Sequence, residues 1–244
     1  VDTSLVVNGQ TFNIDAKGVV TKAHTPGFYT TGDNNWFYAD SHGRNVTGAQ
    51  IINGQHLYFD ANGRQVKGGF VMNTDGSRSF YHWNTGDKLV STFFTTGHDR
   101  WYYADDKGNV VTGAQVINGQ KLFFATDGKQ VKGDFATNAN GSRSYYHGAT
   151  GNKLVSTFFT TGDNNWYYAD AKGELVVGEQ TINGQNLYFD QTGRQVKGAT
   201  ATNPDGSISY YDVHTGEKAI NRWVKIPSGQ WVYFNAQGKG YVSN

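Results

Sequence analysis

The segment INGQHLYFDANGRQVKG, residues 52–68, occurs twice more in this chain of 244 residues, as INGQKLFFATDGKQVKG at 117–133 and INGQNLYFDQTGRQVKG at 182–198. Equivalent residues in successive copies are 65 positions apart, and every copy ends in Gln-Val-Lys-Gly. A fixed period of this kind indicates a repeat architecture, in which each unit buries its apolar face against its neighbours.

Each period divides into three shorter units, because adjacent aromatic residues recur every 21 or 22 positions. In the quoted segment the pair Tyr58-Phe59 is followed by a polar turn and a short stretch around Val66. Asn62-Gly63 predicts a two-residue hairpin turn of type I′, which requires positive φ at both residues. Because a lone hairpin is marginally stable in water, the hairpins are expected to stack. The sequence therefore predicts an all-β fold: a β-solenoid of about ten stacked β-hairpins, with three hairpins per superhelical turn.

The same period defines the expected domain organisation. The whole chain forms one repeat domain, and its first and last segments are partial repeats. The expected boundaries are a partial terminal repeat at 1–29, full repeats at 30–94, 95–159 and 160–225, and a partial final repeat at 226–244.

Strand alternation then predicts which side chains point away from the core. With Asn62-Gly63 as the turn, Phe59 pairs with Val66, and paired residues share a face. The apolar core face then contains Leu57, Phe59 and Val66, and the outward face carries Tyr58, Gln65 and Lys67. In the other two hairpins of the period, the residues expected to point outward are Trp36, Tyr38, Thr47, Tyr81 and Lys88.

An outward face of this kind suits a sugar. A sugar ring has an apolar face that stacks on an aromatic ring, and hydroxyls that bond an amide or an ammonium. Two alternatives remain open: the rings pack only between neighbouring hairpins, and the Gln and Lys side chains belong to a solvated strand face. The contrast between copies favours function, because Thr47 becomes Val177 while the Gln and Lys positions stay the same.

Composition narrows the possible ligands. The net charge of +1 provides no basic field for nucleic acid or for an anionic membrane. The chain has no cysteine, which excludes disulfides and thiolate metal sites. No apolar run approaches the roughly 20 residues that span a bilayer. We therefore expect no nucleic-acid and no membrane partner.

The repeat pattern resembles a known family. In consensus form, TGAQ.INGQ.LYFD..G.QVKG followed by DGS.SYY...TG.KL is similar to the glucan-binding repeats of glucansucrases, secreted bacterial enzymes that build α-glucans from sucrose. The resemblance covers about residues 8–244. It implies a secreted, extracellular or cell-wall-associated segment of a larger glucansucrase. That segment would bind dextran-like chains or isomalto-oligosaccharides and tether the enzyme to its polymer.

The resemblance also implies pockets that combine aromatic stacking with a Gln-x-Lys pair. The matching polar positions are Gln65, Lys67, Gln130, Lys132, Gln195 and Lys197. The preferred stacking residues are Tyr38, Tyr103 and Tyr168, the second choices are Tyr81, Tyr146 and Tyr211, and the rim residues are Thr47 and Thr112. Choline-binding repeats, which cage a quaternary ammonium in aromatic rings, and clostridial-toxin repeats, which bind glycans, remain rival families.

Catalysis is not expected. Glycoside hydrolysis needs two placed carboxylates, yet the repeated acids Asp40, Asp105 and Asp170 precede turns, and Asn235 replaces them in the last unit. The histidines form no metal-spaced cluster, so neither a metal nor another cofactor is expected. A structural spacer that displays an enzyme at a cell surface remains the alternative to a binding module.

Overall fold

The computed structural model describes residues 3–31, 35–162 and 165–242, which form short strands and turns. None of these residues is helical, so this part of the chain has no helix that could cross a membrane. The strands are β1 (Thr3–Val7), β2 (Gln10–Ile14), β3 (Val20–Lys22), β4 (Gly27–Thr30), β5 (Trp36–Ala39), β6 (Gly48–Ile52), β7 (Gln55–Phe59), β8 (Gly69–Met72), β9 (Arg78–Tyr81), β10 (Thr92–Thr95), β11 (Trp101–Ala104), β12 (Gly113–Ile117), β13 (Gln120–Phe124), β14 (Asp134–Thr137), β15 (Arg143–Tyr146), β16 (Thr157–Thr160), β17 (Trp166–Ala169), β18 (Gly178–Ile182), β19 (Gln185–Phe189), β20 (Ala199–Thr202), β21 (Ile208–Tyr211), β22 (Arg222–Lys225) and β23 (Trp231–Phe234).

Each strand in the described part of the chain pairs only with a strand next to it in the sequence. In the described ranges, β1, β2 and β3 form a three-stranded sheet, and the remaining strands form ten two-stranded sheets. The predicted all-β fold of repeated hairpins is therefore confirmed. The chain divides into two compact units, one of Val1–Gly113 with Phe124–Gln130 and the other of Ala114–Phe123 with Val131–Asn244.

The type I′ turn lies elsewhere in the repeat than the sequence predicted. Ile52 pairs with Gln55, so the two-residue loop between β6 and β7 is Asn53-Gly54. Its φ values of 52° and 80° are both positive, as a type I′ turn requires. The same pair of positive φ values recurs at Asn118-Gly119 and Asn183-Gly184.

The prediction of a type I′ turn at Asn62-Gly63 is wrong. Gly63 has a φ of 80°, but Asn62 is outside the positive-φ region. The Asp60 amide donates to the Arg64 carbonyl at 2.8 Å, and the Asp60 carboxylate accepts from the Asn62 and Arg64 amides. These bonds close a three-residue loop with glycine at its last position. Phe59 consequently pairs with Gln65 and not with Val66, an offset of one residue.

Apolar clusters lie along the hairpins of each unit. In the first unit Leu57 and Phe59 are 1% and 0% exposed, which confirms that they belong to the core, whereas Val66 is only half-buried. Phe80, Phe94 and Tyr102 form a ladder of stacked rings, with centroid distances of 4.6 and 5.3 Å. The second unit repeats this ladder with Tyr145, Phe159 and Tyr167 at 4.6 and 5.3 Å.

A buried polar network closes the loop between β8 and β9. The Asn73 side-chain amide donates to the Ser77 hydroxyl at 2.8 Å and to the Ser79 hydroxyl at 2.9 Å. Ser79 is fully buried, so this bond satisfies a hydroxyl that solvent does not reach. Asn138 and Asn203 make the equivalent bonds in the later copies.

Candidate functional site

The Gln-Val-Lys segment of the first copy borders an open groove of about 660 Å³, called the first groove below. It is lined by Asn35, Trp36, Asp60, Arg64, Gln65, Val66, Lys67, Trp83 and Asn84. The third copy forms an equivalent groove of about 450 Å³, called the third groove, with Trp166, Asp190, Arg194, Gln195 and Lys197 at matching positions. In the second copy Gln130 belongs to one unit and Lys132 to the other, so the geometry below is that of the first and third copies.

The main chain places the glutamine against the strand that carries the tryptophan. The backbone N–H of Gln65 donates to the Trp36 carbonyl at 2.7 Å, and the backbone N–H of Gln195 donates to the Trp166 carbonyl at 2.7 Å. Because this bond joins the end of one hairpin to β5 of the previous hairpin, it fixes the tryptophan beside the Gln-Val-Lys segment. The sequence did not predict it, since the two residues are 29 positions apart.

The predicted outward projection of the glutamines is wrong. Gln65, Gln130 and Gln195 are only 8%, 6% and 8% exposed. The physical reason is the pairing of Phe59 with Gln65, which turns the glutamine toward the next hairpin. There the Gln65 side-chain Nε2 donates to the Thr85 carbonyl at 3.0 Å. Gly86 lies so close that a Cβ at this position would overlap the Gln65 amide group.

The lysine lies over the indole ring of the tryptophan. The Nζ of Lys67 is 4.9 Å from the centroid of the Trp36 ring, and the Nζ of Lys197 is 5.0 Å from that of Trp166. Both distances are within the range of a cation–π contact. Burial lowers the pKa of Lys67 below its usual value. Lys67 and Lys197 are half-buried, and Trp166 keeps 37% of its surface exposed, so each groove offers solvent an indole ring beside a cation.

An ion pair forms another wall of each groove. Arg64 lies 3.4 Å from the Asp60 carboxylate, and Arg194 lies 3.3 Å from Asp190. Burial acts to raise the pKa of Asp190, but hydrogen bonds from Thr192 and Arg194 outweigh it and the pKa is lowered. Each ion pair is internally neutral and keeps N–H and oxygen groups at the rim, which suits a ligand with many hydroxyls.

The predicted stacking tyrosines do not line the first or the third groove. Tyr38, Tyr103 and Tyr168 each pack against the cross-strand phenylalanine of their hairpin, at centroid distances of 4.9, 4.8 and 4.7 Å. Tyr38 and Tyr168 also contact the core clusters of β6–β7 and β18–β19. The three tyrosines are half-buried and alternate with Ala39, Ala104 and Ala169, which are fully buried, so their role as stacking residues stays a prediction.

The prediction of the second-choice stacking residues is contradicted by their burial. Tyr81, Tyr146 and Tyr211 are buried, so they present no open ring face to a sugar. The rim residues Thr47 and Thr112 are both exposed, and the Thr47 carbonyl accepts a hydrogen bond from the Gln50 side chain. The aromatic ring that does meet the Gln-x-Lys segment is Trp36, or Trp166 in the third copy. The 65-residue spacing of the tryptophans was the signal that marked it.

No group of three or more histidine, cysteine or acidic side chains that could hold a metal ion occurs in the parts of the chain that the structure describes. The chemistry of the grooves is that of recognition: an indole face, an ammonium, a guanidinium–carboxylate pair and backbone carbonyls. None of these groups forms a nucleophile–base pair.

Comparison with known proteins supports the repeat assignment. The model of the choline-binding repeat family matches residues 46–93, 111–158 and 176–223. These three matches together span more than half of the chain. A second family model, described as a putative cell wall binding repeat, matches residues 156–175 and 221–239.

Curated relatives include two glucosyltransferases of Streptococcus mutans serotype c. Glucosyltransferase-I is 46% identical over 190 residues, which cover 78% of this chain and 13% of that protein. Glucosyltransferase-S is 39% identical over 206 residues, which cover 84% of this chain and 14% of that protein. The chain thus spans only about one seventh of the length of these relatives and matches their repeat portion, not a catalytic domain.

Among solved structures, choline-binding protein F of Streptococcus pneumoniae matches with a TM-score of 0.64 at 18% sequence identity. The match covers 98% of this chain and 92% of that protein. At this identity the similarity shows a shared fold.

Proposed function

Because the chain belongs to the choline-binding repeat family, whose members here include the repeat portions of glucosyltransferases, we propose that its Trp/Gln-x-Lys grooves bind α-glucan chains. The resemblance to the glucan-binding repeats of glucansucrases is confirmed by the relatives, and a carbohydrate-binding repeat domain without catalytic activity is the function that they support. Dextran as the ligand, the grooves as its sites and the tethering of a larger glucansucrase to its product are our proposals.

The observation that carries the proposal is the placement of the Lys67 ammonium 4.9 Å from the Trp36 ring centroid, in a groove that also contains Gln65. Trp166 and Lys197 repeat it at 5.0 Å. A glucosyl ring that lies on the uncovered part of the indole brings its hydroxyls within reach of the lysine and of the Asp60–Arg64 pair. The groove volumes of about 660 and 450 Å³ are within the range of ligand sites.

Each groove on its own is a weak site. A stacked ring contributes about 1 kcal/mol, and an exposed groove that binds with about 4 kcal/mol has a millimolar dissociation constant. A polymer that contacts several grooves converts the later contacts into intramolecular ones, which raises avidity by a factor of about 100 or more. The repetition of the motif therefore fits a repeating ligand.

Affinity electrophoresis in gels that contain dextran tests the proposal. We expect the migration of the chain to be retarded relative to a gel without dextran, and a protein of similar size and charge to be unaffected. Unchanged mobility would favour the alternative function of a structural spacer. Isomaltotriose added to the gel is expected to reverse the retardation, since it competes for the same grooves.

Choline is the second candidate ligand, and the family match favours it. A choline site needs several aromatic rings around the quaternary ammonium. Here the lysine already occupies the cation position on the indole, and a second cation at this place is repelled. The other tryptophan of the first groove, Trp83, is replaced by Val213 in the third copy. We therefore favour glucan over choline as the ligand. Release of the chain from dextran by choline chloride would favour choline instead.

Three further features remain proposals. The β-solenoid with three hairpins per turn is supported by the backbone bonds between hairpins of one unit, such as Lys88 to His56 at 2.9 Å. Small-angle X-ray scattering tests it, since a solenoid predicts a rod. The repeat boundaries 30–94, 95–159 and 160–225 rest on the sequence period. An extracellular or cell-surface location is supported by the match to cell wall binding repeats.

A further inference from the structure

A second groove lies in the first unit, between the hairpins β6–β7 and β8–β9, and shares no lining residue with the first groove. Its volume is about 550 Å³, and its lining includes Ala49, Tyr58, Asn73, Tyr81 and Lys88. We call it the Ala49 groove. Tyr58 is half-buried, whereas Tyr81 is 3% exposed.

The third copy shows which chemical group fits at this position. Glu179 takes the place of Ala49, and its carboxylate oxygen Oε1 accepts hydrogen bonds from the Tyr211 hydroxyl at 2.9 Å and from the Lys218 ammonium at 2.6 Å. The Lys218 side chain is only 12% exposed, so this pairing neutralises a largely buried cation. Burial acts to raise the pKa of Glu179, but these two donors outweigh it and the pKa is lowered.

The backbone holds the matching donors of the first copy in the same way. Tyr81 pairs with Gly69 as Tyr211 pairs with Ala199, and Ala49 pairs with Tyr58 as Glu179 pairs with Tyr188. The Lys88 amide donates to the His56 carbonyl at 2.9 Å, and the Lys218 amide donates to the Asn186 carbonyl at the same distance. The ring centroids of Tyr58 and Tyr81 are 5.9 Å apart in the first copy, and those of Tyr188 and Tyr211 are 5.5 Å apart in the third.

The first copy therefore keeps both donors of a carboxylate site, while the methyl group of Ala49 can accept a hydrogen bond from neither. The second copy has the same residues, Ala114, Tyr146 and Lys153. Burial lowers the pKa of Lys153 and outweighs the charges of Glu174 and Asp170, which act to raise it.

We propose that the Ala49 groove binds the carboxylate of an acidic sugar, a uronic acid, with Lys88 as its ion-pair partner and Tyr81 as its hydrogen-bond donor. In the third copy Glu179 is a built-in substitute for this ligand. A sugar is favoured over other carboxylates because the half-buried Tyr58 ring provides an apolar surface, and the Gln50 amide, whose Nε2 bonds the Thr47 carbonyl, provides an oxygen as a partner for a hydroxyl. This proposal does not depend on the binding of neutral glucan in the first groove.

Nuclear magnetic resonance of the isotope-labelled chain tests the proposal, with methyl glucuronide as the probe and methyl glucoside as its neutral counterpart. We expect the glucuronide to shift the amide signals of Ala49 and Tyr81 in a saturable manner, and the glucoside to leave them unchanged. Equal responses to both sugars would overturn the role of the carboxylate. An equally strong response to acetate would overturn the assignment to a sugar.

Two reciprocal variants make the test specific. Ala49→Glu gives the first copy the carboxylate of the third copy. It is expected to reduce the affinity for methyl glucuronide, followed at the Tyr81 amide signal, at least tenfold. Glu179→Ala opens the third copy and is expected to create a new response at Tyr211. The unaltered second copy, followed at Tyr146, is the internal control for folding. A Tyr81 response that persists in Ala49→Glu, or no response at Tyr211 in Glu179→Ala, would contradict the proposal.

Discussion

The Nζ of Lys67 lies 4.9 Å from the centroid of the Trp36 ring, although the two residues belong to different hairpins. The backbone N–H of Gln65, two residues before the lysine, donates to the Trp36 carbonyl at 2.7 Å. This bond holds Lys67 close to the Trp36 ring. A cation–π contact at a partly exposed site contributes about 0.5–1 kcal/mol. The lysine is thereby held over the indole ring, next to the surface on which we propose that a sugar stacks.

Replacing the tryptophan removes the stacking surface. We expect Trp36→Ala to weaken binding to the first groove by about fivefold, which corresponds to about 1 kcal/mol of lost stacking. With Trp166→Ala added, retardation in dextran gels is expected to fall far more, since avidity depends on several sites. Trp231→Ala is the matched control, because Trp231 is 64% exposed in the same sequence register but precedes no Gln-Val-Lys segment. Loss of retardation in this control variant would contradict the assignment.

A methyl group at Gly86 should displace the glutamine. Gly86 has a φ of 71°, and a Cβ there would overlap the Gln65 amide. The backbone strain of a non-glycine residue in this region costs about 1–2 kcal/mol. Gly76 has a similar φ of 83° with open space around it, so Gly76→Ala should show that strain alone. In urea unfolding, Gly86→Ala is expected to lose more stability than Gly76→Ala and also to lose dextran retardation. Equal behaviour of the two variants would show that Gln65 has room to move.

The two Asn-Gly turns of the first copy should respond differently to mutation. Asn53 has a φ of 52°, whereas Asn62 is outside the positive-φ region. A β-branched residue at positive φ is strained, so Asn53→Val is expected to lower the free energy of unfolding by about 1–2 kcal/mol. Asn62→Val should change it by less than about 0.5 kcal/mol, as for most surface positions. Chemical denaturation of both variants checks this, and the opposite order would restore the turn predicted from the sequence.

Removal of the Asn73 side chain should expose the cost of a buried hydroxyl. Asn73→Ala leaves Ser79, which is fully buried, without the donor at 2.9 Å. An unsatisfied buried polar group costs about 1–3 kcal/mol. We expect this loss in urea unfolding, and we expect the double variant Asn73→Ala/Ser79→Ala to recover part of it. A double variant less stable than the single one would indicate that packing, not the hydrogen bond, is responsible.

The Glu179–Lys218 pair should make stability depend on pH. The pKa of Glu179 is held below its usual 4.5, so its contribution is present above that value and is lost as the pH falls through the lower, folded-state pKa. Because Glu179 is 53% exposed, we expect Glu179→Gln to cost at most about 1 kcal/mol near neutral pH. Urea unfolding at about pH 7 and about pH 3 measures the difference between variant and parent, which should shrink in acid. A difference that is constant with pH would exclude the ion pair as its cause.

The repeat, the all-β class and the family resemblance were predictable because they depend on letters that recur at fixed intervals. The recurrence of the Gln-x-Lys segment was visible for the same reason. The choice of ring was not predictable, since each hairpin has several aromatic residues and any of them satisfies the pattern. Tyr38 was the preferred residue, yet its ring packs against Phe28, and Trp36 meets the lysine.

The amino-acid sequence by itself determined that this chain is a series of hairpins with a 65-residue period and with the same polar groups in each copy. Only the tertiary structure decided which side chains those hairpins bury. The physical reason is the two-residue alternation of a strand: a backbone bond from Asp60 to Arg64 closes a three-residue loop, Phe59 pairs with Gln65, and this single offset turns the glutamine inward. The partner of Lys67 was likewise set by a backbone bond between hairpins, which no local pattern of residues encodes.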